Sequence, residues 1–344
     1  SSNVGDGKWL IFLGIISIIS LSYEISHNYL VNKYITNRIK WLSIYSNLEN
    51  RSLIENSKEV KKYGFHKSIH KSKLDQLGNL NNKRFGFILE DINKLSDKEK
   101  QILISLKNKG FNLLSLIDWL ECYLHRYPIE IISSEDLIKF LLVNKKSNTS
   151  KRIKRISEFT LSFILLIITS PIILLFAILI KLEDHGPILY SQKRSGFAGQ
   201  IFTIYKLRSM KINAEEDGIK WSSANDKRVT RVGKFLRMTR LDELPQLISV
   251  IKGDMSLIGP RPERPEIDEI LTTNIPNYKI RYLVRPGISG WAQVSYPYGA
   301  SIEDTKIKFS YDVYYIKNFS TLFDLLILLE TIRLVFNLRG SSPR

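Results

Sequence analysis

The sequence predicts an α+β membrane protein, and three observations predict it. Two long apolar stretches, residues 9–23 and 159–180, are candidates for burial in lipid. Between them, from about residue 61 to 142, short apolar runs alternate with helical patterns, as in a small α/β unit. After the second stretch, residues 183–296 are dense in Gly, Pro, Arg and Lys set out as short motifs, which suits a site built from loops on a small helix-rich scaffold. The length of 344 residues and a hydrophobic content of 44% allow two modest domains, each with its own core.

The first stretch is roughly fifteen residues, about 22 Å as a helix, where a span usually takes about 20 residues. Lys8 and Glu24 at its ends can snorkel, which makes a short span feasible. No basic n-region precedes it and no Ala-x-Ala site follows, against a signal peptide. Lys33, Arg38 and Lys40 follow it against Lys8 before it, so the downstream chain is expected in the cytoplasm. A buried core helix is the competing reading. Residues 24–58 are amphipathic, with Tyr, Ile and Leu at helical spacing, and read as a helix leaving the membrane.

In the α/β unit, FGFILE (85–90) reads as a buried strand and residues 97–110 as an amphipathic helix closed by Gly110. Residues 111–128 read as a short strand and a helix that stops before Pro128. No Gly-x-Gly-x-x-Gly occurs there, so no nucleotide site is assigned to this unit. The Asn/Lys/Ser-rich residues 143–150 read as a linker.

The second stretch carries no charge over residues 159–180, and both of its flanks are strongly basic. A spanning helix would leave one basic flank outside, against the usual bias. Ser170-Pro171 lies at its midpoint: Pro171 removes a backbone donor and crowds the carbonyl of Ile167, while Ser170 can satisfy a carbonyl one turn back. A kinked helix that re-enters the same face and a plain spanning helix with a proline kink both remain open on these grounds. Near the end, residues 322–338 form an amphipathic pattern with Leu325, Leu329, Ile332 and Phe336 on one face, for core packing or for lying in the membrane interface.

The balance of 51 Lys+Arg against 34 Asp+Glu, net +17, favours anionic partners. Cys122 is alone and the five histidines are scattered, which excludes an internal disulfide and argues against a His-based metal centre. No nucleic-acid-binding signature accompanies the charge, so nucleic acid is not an expected partner. The chemistry-bearing segment is LDELPQL, with Asp242 and Glu243 adjacent. Arg231, Lys234, Arg237 and Arg240 lie upstream and Arg261 and Arg264 downstream. Arginine forks suit phosphate oxygens, and paired carboxylates suit Mg²⁺ held against a diphosphate or a carboxylate nucleophile. A solvated mixed-charge face explains the same residues without chemistry. Lys206 and Arg208 follow a strand-like FTIY; prolines flank Arg261 and pre-orient it. PGISGWAQV (286–294) reads as a tight turn presenting a tryptophan, to a base or sugar or to the core.

The order HGPILYSQKRSGFAGQIFTIYKLRSM, RVGKFLRMTRLDELPQLISVIKGDMSLIGPRPE, RPGISGWAQV and YDVYYIKNFS closely resembles the bacterial sugar transferases, the monotopic phosphoglycosyl transferases. The resemblance covers residues 150–344 and is to the larger members, which carry an N-terminal membrane region and a Rossmann-like domain. It implies a transmembrane and connecting segment over residues 1–58, a reduced Rossmann-like unit over 59–142, a linker over 143–150, and a transferase domain over 151–344 with a re-entrant helix over 156–181 broken at Ser170-Pro171. It implies transfer of a sugar 1-phosphate from a UDP-sugar to undecaprenyl phosphate, with UMP released, as the first membrane step of exopolysaccharide, capsule or O-antigen assembly. Asp242 then matches the nucleophile that carries the covalent phosphosugar, and Glu243 its partner. Mg²⁺ is implied at Asp242 and Glu243, and Lys206, Arg208, Arg237 and Arg261 match substrate-binding positions. The expected setting is the cytoplasmic face of a bacterial inner membrane with anionic lipid, and larger members are often homodimers. GPRPERPE resembles the branch that uses hexoses such as glucose or galactose. Arg240 stands where the family commonly has Ser, Leu207 where Phe is usual, and Ile248-Ser249 replaces an aromatic-Asn pair. A non-catalytic membrane scaffold is the rival reading.

Overall fold

A computed structural model of the chain describes residues 39–45, 65–74, 85–90, 94–127, 129, 148–214, 226–296 and 301–336. The apolar stretch at 9–23 lies outside them. The chain divides into two units, Ser1–Leu124 and His125–Arg344. This division falls earlier than the one drawn from composition at 142. The residues just after it are tied into the second unit: Tyr127 N donates to Ser310 O (2.9 Å), and Trp291 Nε1 donates to His125 O (2.7 Å).

Among the described residues the first unit holds four strands, β1 (Lys40–Tyr45), β2 (Phe65–His70), β3 (Phe85–Leu89) and β4 (Asn112–Ser115), in a parallel sheet of order β2-β1-β3-β4. Helices α1 (Asp97–Asn108) and α2 (Leu116–Leu124) belong to the same unit. β1 corrects the sequence reading, which ran a helix through 24–58. Trp41, Leu42, Ser43 and Ile44 are all buried, as a central strand covered on both faces requires; an amphipathic helix would leave one side wet. The strand at 85–89 and helix at 97–108 stand where expected. A Ser96/Glu99 capping box starts α1, and Gly110 at φ 87° follows its end. Leu42, Ile44, Leu74, Phe87, Leu106 and Phe111 form the core of this unit.

The second unit opens with α3 (Asn148–Asp184), 37 residues with Pro171 inside. Its first turn takes in Asn148–Ser150, expected as linker. Among the described residues it is the one helix long and apolar enough to cross a membrane, with a mean hydropathy of 3.0 over its most apolar window. Ser170 Oγ donates to Ile167 O at 2.8 Å, the carbonyl that Pro171 leaves without its usual donor, and Thr169 Oγ1 donates to Leu165 O at 2.7 Å. The helix therefore carries the proline as one continuous element.

A hairpin follows, β5 (Leu189–Ser195) antiparallel to β6 (Ile201–Leu207). Then come α4 (Arg231–Thr239), a 3-10 turn over Leu241–Gln246, and α5 (Leu247–Lys252). β7 (Ser256–Ile258), α6 (Pro265–Asn274), a second 3-10 turn (Tyr278–Leu283) and β8 (Gly287–Ser289) succeed them. The chain closes with α7 (Trp291–Ser295), α8 (Ile302–Asn318) and α9 (Thr321–Phe336). β7 and β8 pair in parallel. The far end of α3 is packed onto this unit: Ile180 joins Leu207 of β6 and Leu236 of α4 in one core, with Phe176, Val232 and Leu241 against it. Glu183 accepts the backbone N–H of Arg231 at 2.8 Å and so caps α4 from the end of α3. The near end is fastened by Lys154, whose Nζ meets Asp324 Oδ2 at 2.6 Å and Tyr315 OH at 2.9 Å. On α9 the expected apolar stripe is not core: Leu325, Leu329 and Ile332 are exposed, while Ile327 on another face is fully buried.

Candidate active site

The acidic pair sits where α4 stops. Arg240 has φ 56° and ψ 17°, the left-handed region that costs a non-glycine residue about 1–2 kcal/mol. That turn ends α4 and starts the 3-10 turn, with Glu243 N donating to Arg240 O at 3.1 Å. Asp242 and Glu243 thereby become buried, each 7% exposed, against β6.

Glu243 is held hard. Lys206 Nζ, on β6, reaches Glu243 Oε1 at 2.9 Å; Arg261 NH2 meets the same oxygen at 2.6 Å and Arg261 NH1 meets Oε2 at 3.4 Å. Burial alone would push the Glu243 carboxyl up, but Arg261, Lys206 and Arg240 outweigh it and hold the group well below the usual carboxylate range. Asp242 is treated differently. Among the described residues its carboxylate has no hydrogen-bond or ion-pair partner, although Lys206, Arg237 and Arg261 act on it through their charge. Burial and the neighbouring Glu243 push it above the ordinary aspartate value. Burial also lowers the Lys206 ammonium. The pair is thus one carboxylate clamped by cations and one that is desolvated, relatively basic and available.

Arg261 comes from the loop after β7. Gly287 N donates to Pro260 O and Gly259 N to Ser289 O, both at 2.9 Å, so this loop is laced to β8. The backbones approach so closely that a Cβ on Gly287 would lie 2.1 Å from Gly259 N, and only glycine fits there. Gln293 of α7 adds a contact that sequence reasoning missed. Its Oε1 accepts from Arg240 NH1 at 3.3 Å and from Arg261 NH1 at 3.2 Å. The motif GWAQV contained it, but the tryptophan drew attention, and a glutamine carries no charge to flag it. Trp291 itself packs on Phe323 at 5.1 Å with its Nε1 bonded to the His125 carbonyl, so it stiffens the scaffold.

Of the expected site residues, Asp242, Glu243, Lys206 and Arg261 are brought together, and Arg237, in the last turn of α4, lends its charge to Asp242. Arg208 is not brought to them. One residue past β6, it is buried and its NH2 is bonded to Asp184 at the end of α3. Ser170 and Pro171 lie inside α3, away from this cluster in sequence and element. For a metal, no three of His, Cys, Asp and Glu gather among the described residues. Both Glu243 oxygens are engaged by Arg261 and Lys206, so the carboxylate oxygens left for a hard divalent cation here are those of Asp242.

A family model described as bacterial sugar transferase matches residues 149–338. The chain belongs to the bacterial sugar transferase family. It is 50% identical over 183 residues to the UDP-N-acetylgalactosamine-undecaprenyl-phosphate N-acetylgalactosaminephosphotransferase of Aeromonas hydrophila, covering 53% of this chain and 43% of that one. It is 37% identical over 188 residues to the UDP-glucose:undecaprenyl-phosphate glucose-1-phosphate transferase of Escherichia coli (strain K12), covering 54% and 40%. An uncharacterized sugar transferase of Bacillus subtilis (strain 168) is 38% identical over 192 residues, 55% of this chain and 89% of its own length. The chain thus spans about two-fifths of the first two relatives and most of the third. The whole of the site described above falls inside the matched residues.

Proposed function

We propose that this sugar transferase moves a sugar 1-phosphate from a UDP-sugar to undecaprenyl phosphate through a covalent intermediate on Asp242. The observation that carries the reading is the asymmetry of the acidic pair: Glu243 is saturated by Arg261 and Lys206, while Asp242, equally buried, keeps its oxygens free among cations. An Asp242 oxygen attacks the β-phosphorus of the donor. The bond from that phosphorus to the bridging oxygen breaks, and UMP leaves with the electron pair. An oxygen of undecaprenyl phosphate then attacks the same phosphorus and Asp242 leaves, yielding the diphosphate-linked sugar. Lys206, Arg237 and Arg261 offset charge building on the phosphoryl oxygens, and fixed cations in a dry site cost little reorganisation at that moment. Arg261 has donors beyond those on Glu243, and its side chain is 37% exposed, enough to meet a phosphate. Asp242 would hold a Mg²⁺ ion, which would offset the negative charge of the donor's diphosphate.

An acceptor with a polyprenyl tail needs this site at a lipid boundary. Three features support that placement: the core shared by α3, β6 and α4, the exposed apolar side chains of α3, and the exposed stripe on α9. We read α3 as re-entrant, with its basic flanks on the cytoplasmic face against anionic headgroups, and the parallel sheet of order β2-β1-β3-β4 as a reduced Rossmann-like unit. The relatives' names carry both an N-acetylated sugar and glucose, and the 50% identity is to the former, so the lean towards hexoses read from GPRPERPE is carried no further than UDP-sugar.

The test is UMP release by detergent-solubilised protein given Mg²⁺, undecaprenyl phosphate and UDP-glucose, UDP-galactose or UDP-N-acetylgalactosamine in turn. Turnover with one sugar class is expected, a sugar-phosphate mass on residue 242 in the absence of acceptor, and a loss of at least about 10³-fold in Asp242→Asn. Equal turnover by that variant removes the nucleophile, and no UMP from any donor favours a scaffold.

A further inference from the structure

Arg261 carries the grip on Glu243, and a second, deeper arginine holds Arg261's own backbone. Arg281, in the 3-10 turn Tyr278–Leu283, is 9% exposed, and all three of its nitrogens are engaged. Nε donates to Asp312 Oδ2 of α8 at 2.9 Å, NH1 to the Tyr278 hydroxyl, and NH2 to the carbonyl of Arg261 at 2.6 Å. Asp312 is 4% exposed. Neither side chain is bonded to Asp242 or Glu243.

The loop needs such an anchor for a chemical reason. Pro260 and Pro262 flank Arg261 and have no N–H, so the segment can be fastened chiefly through its carbonyls. All three are taken in succession: Pro260 O by Gly287 N at 2.9 Å, Arg261 O by Arg281, and Pro262 O by Arg194 NH1 at 2.8 Å. A buried ion pair is a poor device for stability alone, since apolar residues of like volume usually do as well. Its planar fork, however, can hold a carboxylate, a hydroxyl and a carbonyl in one fixed geometry, which lysine cannot.

We propose that Arg281 and Asp312 form a positioning pair that acts on the reaction solely through Arg261, setting the place from which its guanidinium grips Glu243. This rests on the transfer reaction proposed above. A displacement of the Arg261 carbonyl moves the guanidinium on its end, and Glu243 and Gln293 lose their shared donor together.

The experiment is a double-mutant cycle on kcat/KM for UMP release with the full chain in detergent, with amide exchange measured alongside. Arg281→Lys is expected to lose about 30-fold and Asp312→Asn, which keeps an acceptor for Nε, about 5-fold. In an Arg261→Ala background each of these substitutions changes the residual rate less than about 2-fold. Exchange of backbone amides in residues 256–264 rises in Arg281→Lys, whereas residues 201–207 are unchanged. The same fold-loss with and without Arg261, or unchanged exchange at 256–264, overturns the proposal. Should Arg281→Lys fail to fold, Asp312→Asn decides by the same comparison. Absence of UMP release in the unsubstituted protein would instead sink the transfer reaction, and the exchange arm would still judge the positioning pair.

Discussion

At Arg240 a long cationic side chain is held in a backbone conformation that glycine adopts freely, and at Glu243 a carboxylate is buried between two cations; both are expensive residue by residue. The two costs can be separated experimentally. Arg240→Gly and Arg240→Ala remove the same guanidinium, but only alanine keeps the left-handed penalty at φ 56°. The glycine variant is expected to be the more stable by about 1 kcal/mol, read from thermal unfolding, while both lose activity. Equal melting temperatures would show that the turn is relaxed. Glu243→Gln leaves Lys206 and Arg261 facing a neutral amide inside the site. It should destabilise by about 3 kcal/mol and lower kcat by about 10²-fold, with a smaller defect in Glu243→Asp. A variant as stable as the parent would mean that the cluster is held by something other than this charge. At this scale the sequence was informative for residues carrying charge. Asp242, Glu243, Lys206 and Arg261 announced themselves by type and motif. Gln293 and the carbonyl of Arg261 did not, because a neutral amide and a backbone oxygen look alike everywhere in a sequence.

At the scale of elements, α3 is the decisive piece. Its hydroxyl-for-amide exchange around Pro171, with Ser170 bonded to the Ile167 carbonyl, keeps the helix satisfied without water. If both ends lie on one face, two exposed positions label together. In a Cys122→Ser background, Arg152→Cys and Leu182→Cys should both react with an impermeant maleimide in inside-out vesicles and neither in spheroplasts. Reaction of one position in each preparation would make α3 a spanning helix. Element type was legible where period and punctuation agreed, as for β3 and α1. It was misread at β1, where Tyr, Ile and Leu fell at a spacing that suits a helix face. The sheet overrode that spacing, since Lys40–Tyr45 gains partner strands on both sides and buries both faces. The stripe on α9 was legible as amphipathic, but which face meets the core depended on where α3 and β7 lay.

At the scale of the molecule, a pH response is expected of the first unit. Glu90, at the end of β3, is pushed up to about 7 by burial, against a Ser43 hydrogen bond and the charge of Lys94. Its folded pKa therefore exceeds its unfolded value, so the folded unit holds the extra proton between about pH 4.5 and 7 and loses that support as pH rises through this window. Exchange of the β3 amides, corrected for intrinsic rate, should be faster at pH 8 than at pH 5, and Glu90→Gln should flatten the difference. A wild-type profile already flat would exclude the effect. The residues matched by the family, 149–338, all lie in the second unit.

The sequence by itself determined that this protein has a lipid-seeking helix, a strongly basic character and an acidic pair beside phosphate-suited cations. These follow from composition and local order, which need no partner to express them. Only the tertiary structure decided that Glu243 is clamped and Asp242 left available, that Arg208 turns to Asp184, and that Arg281 reaches the Arg261 carbonyl. Those outcomes join β6, α4, β7 and α8 across many residues of chain, and a carboxylate's role is set by which cations the fold brings within about 3 Å of it.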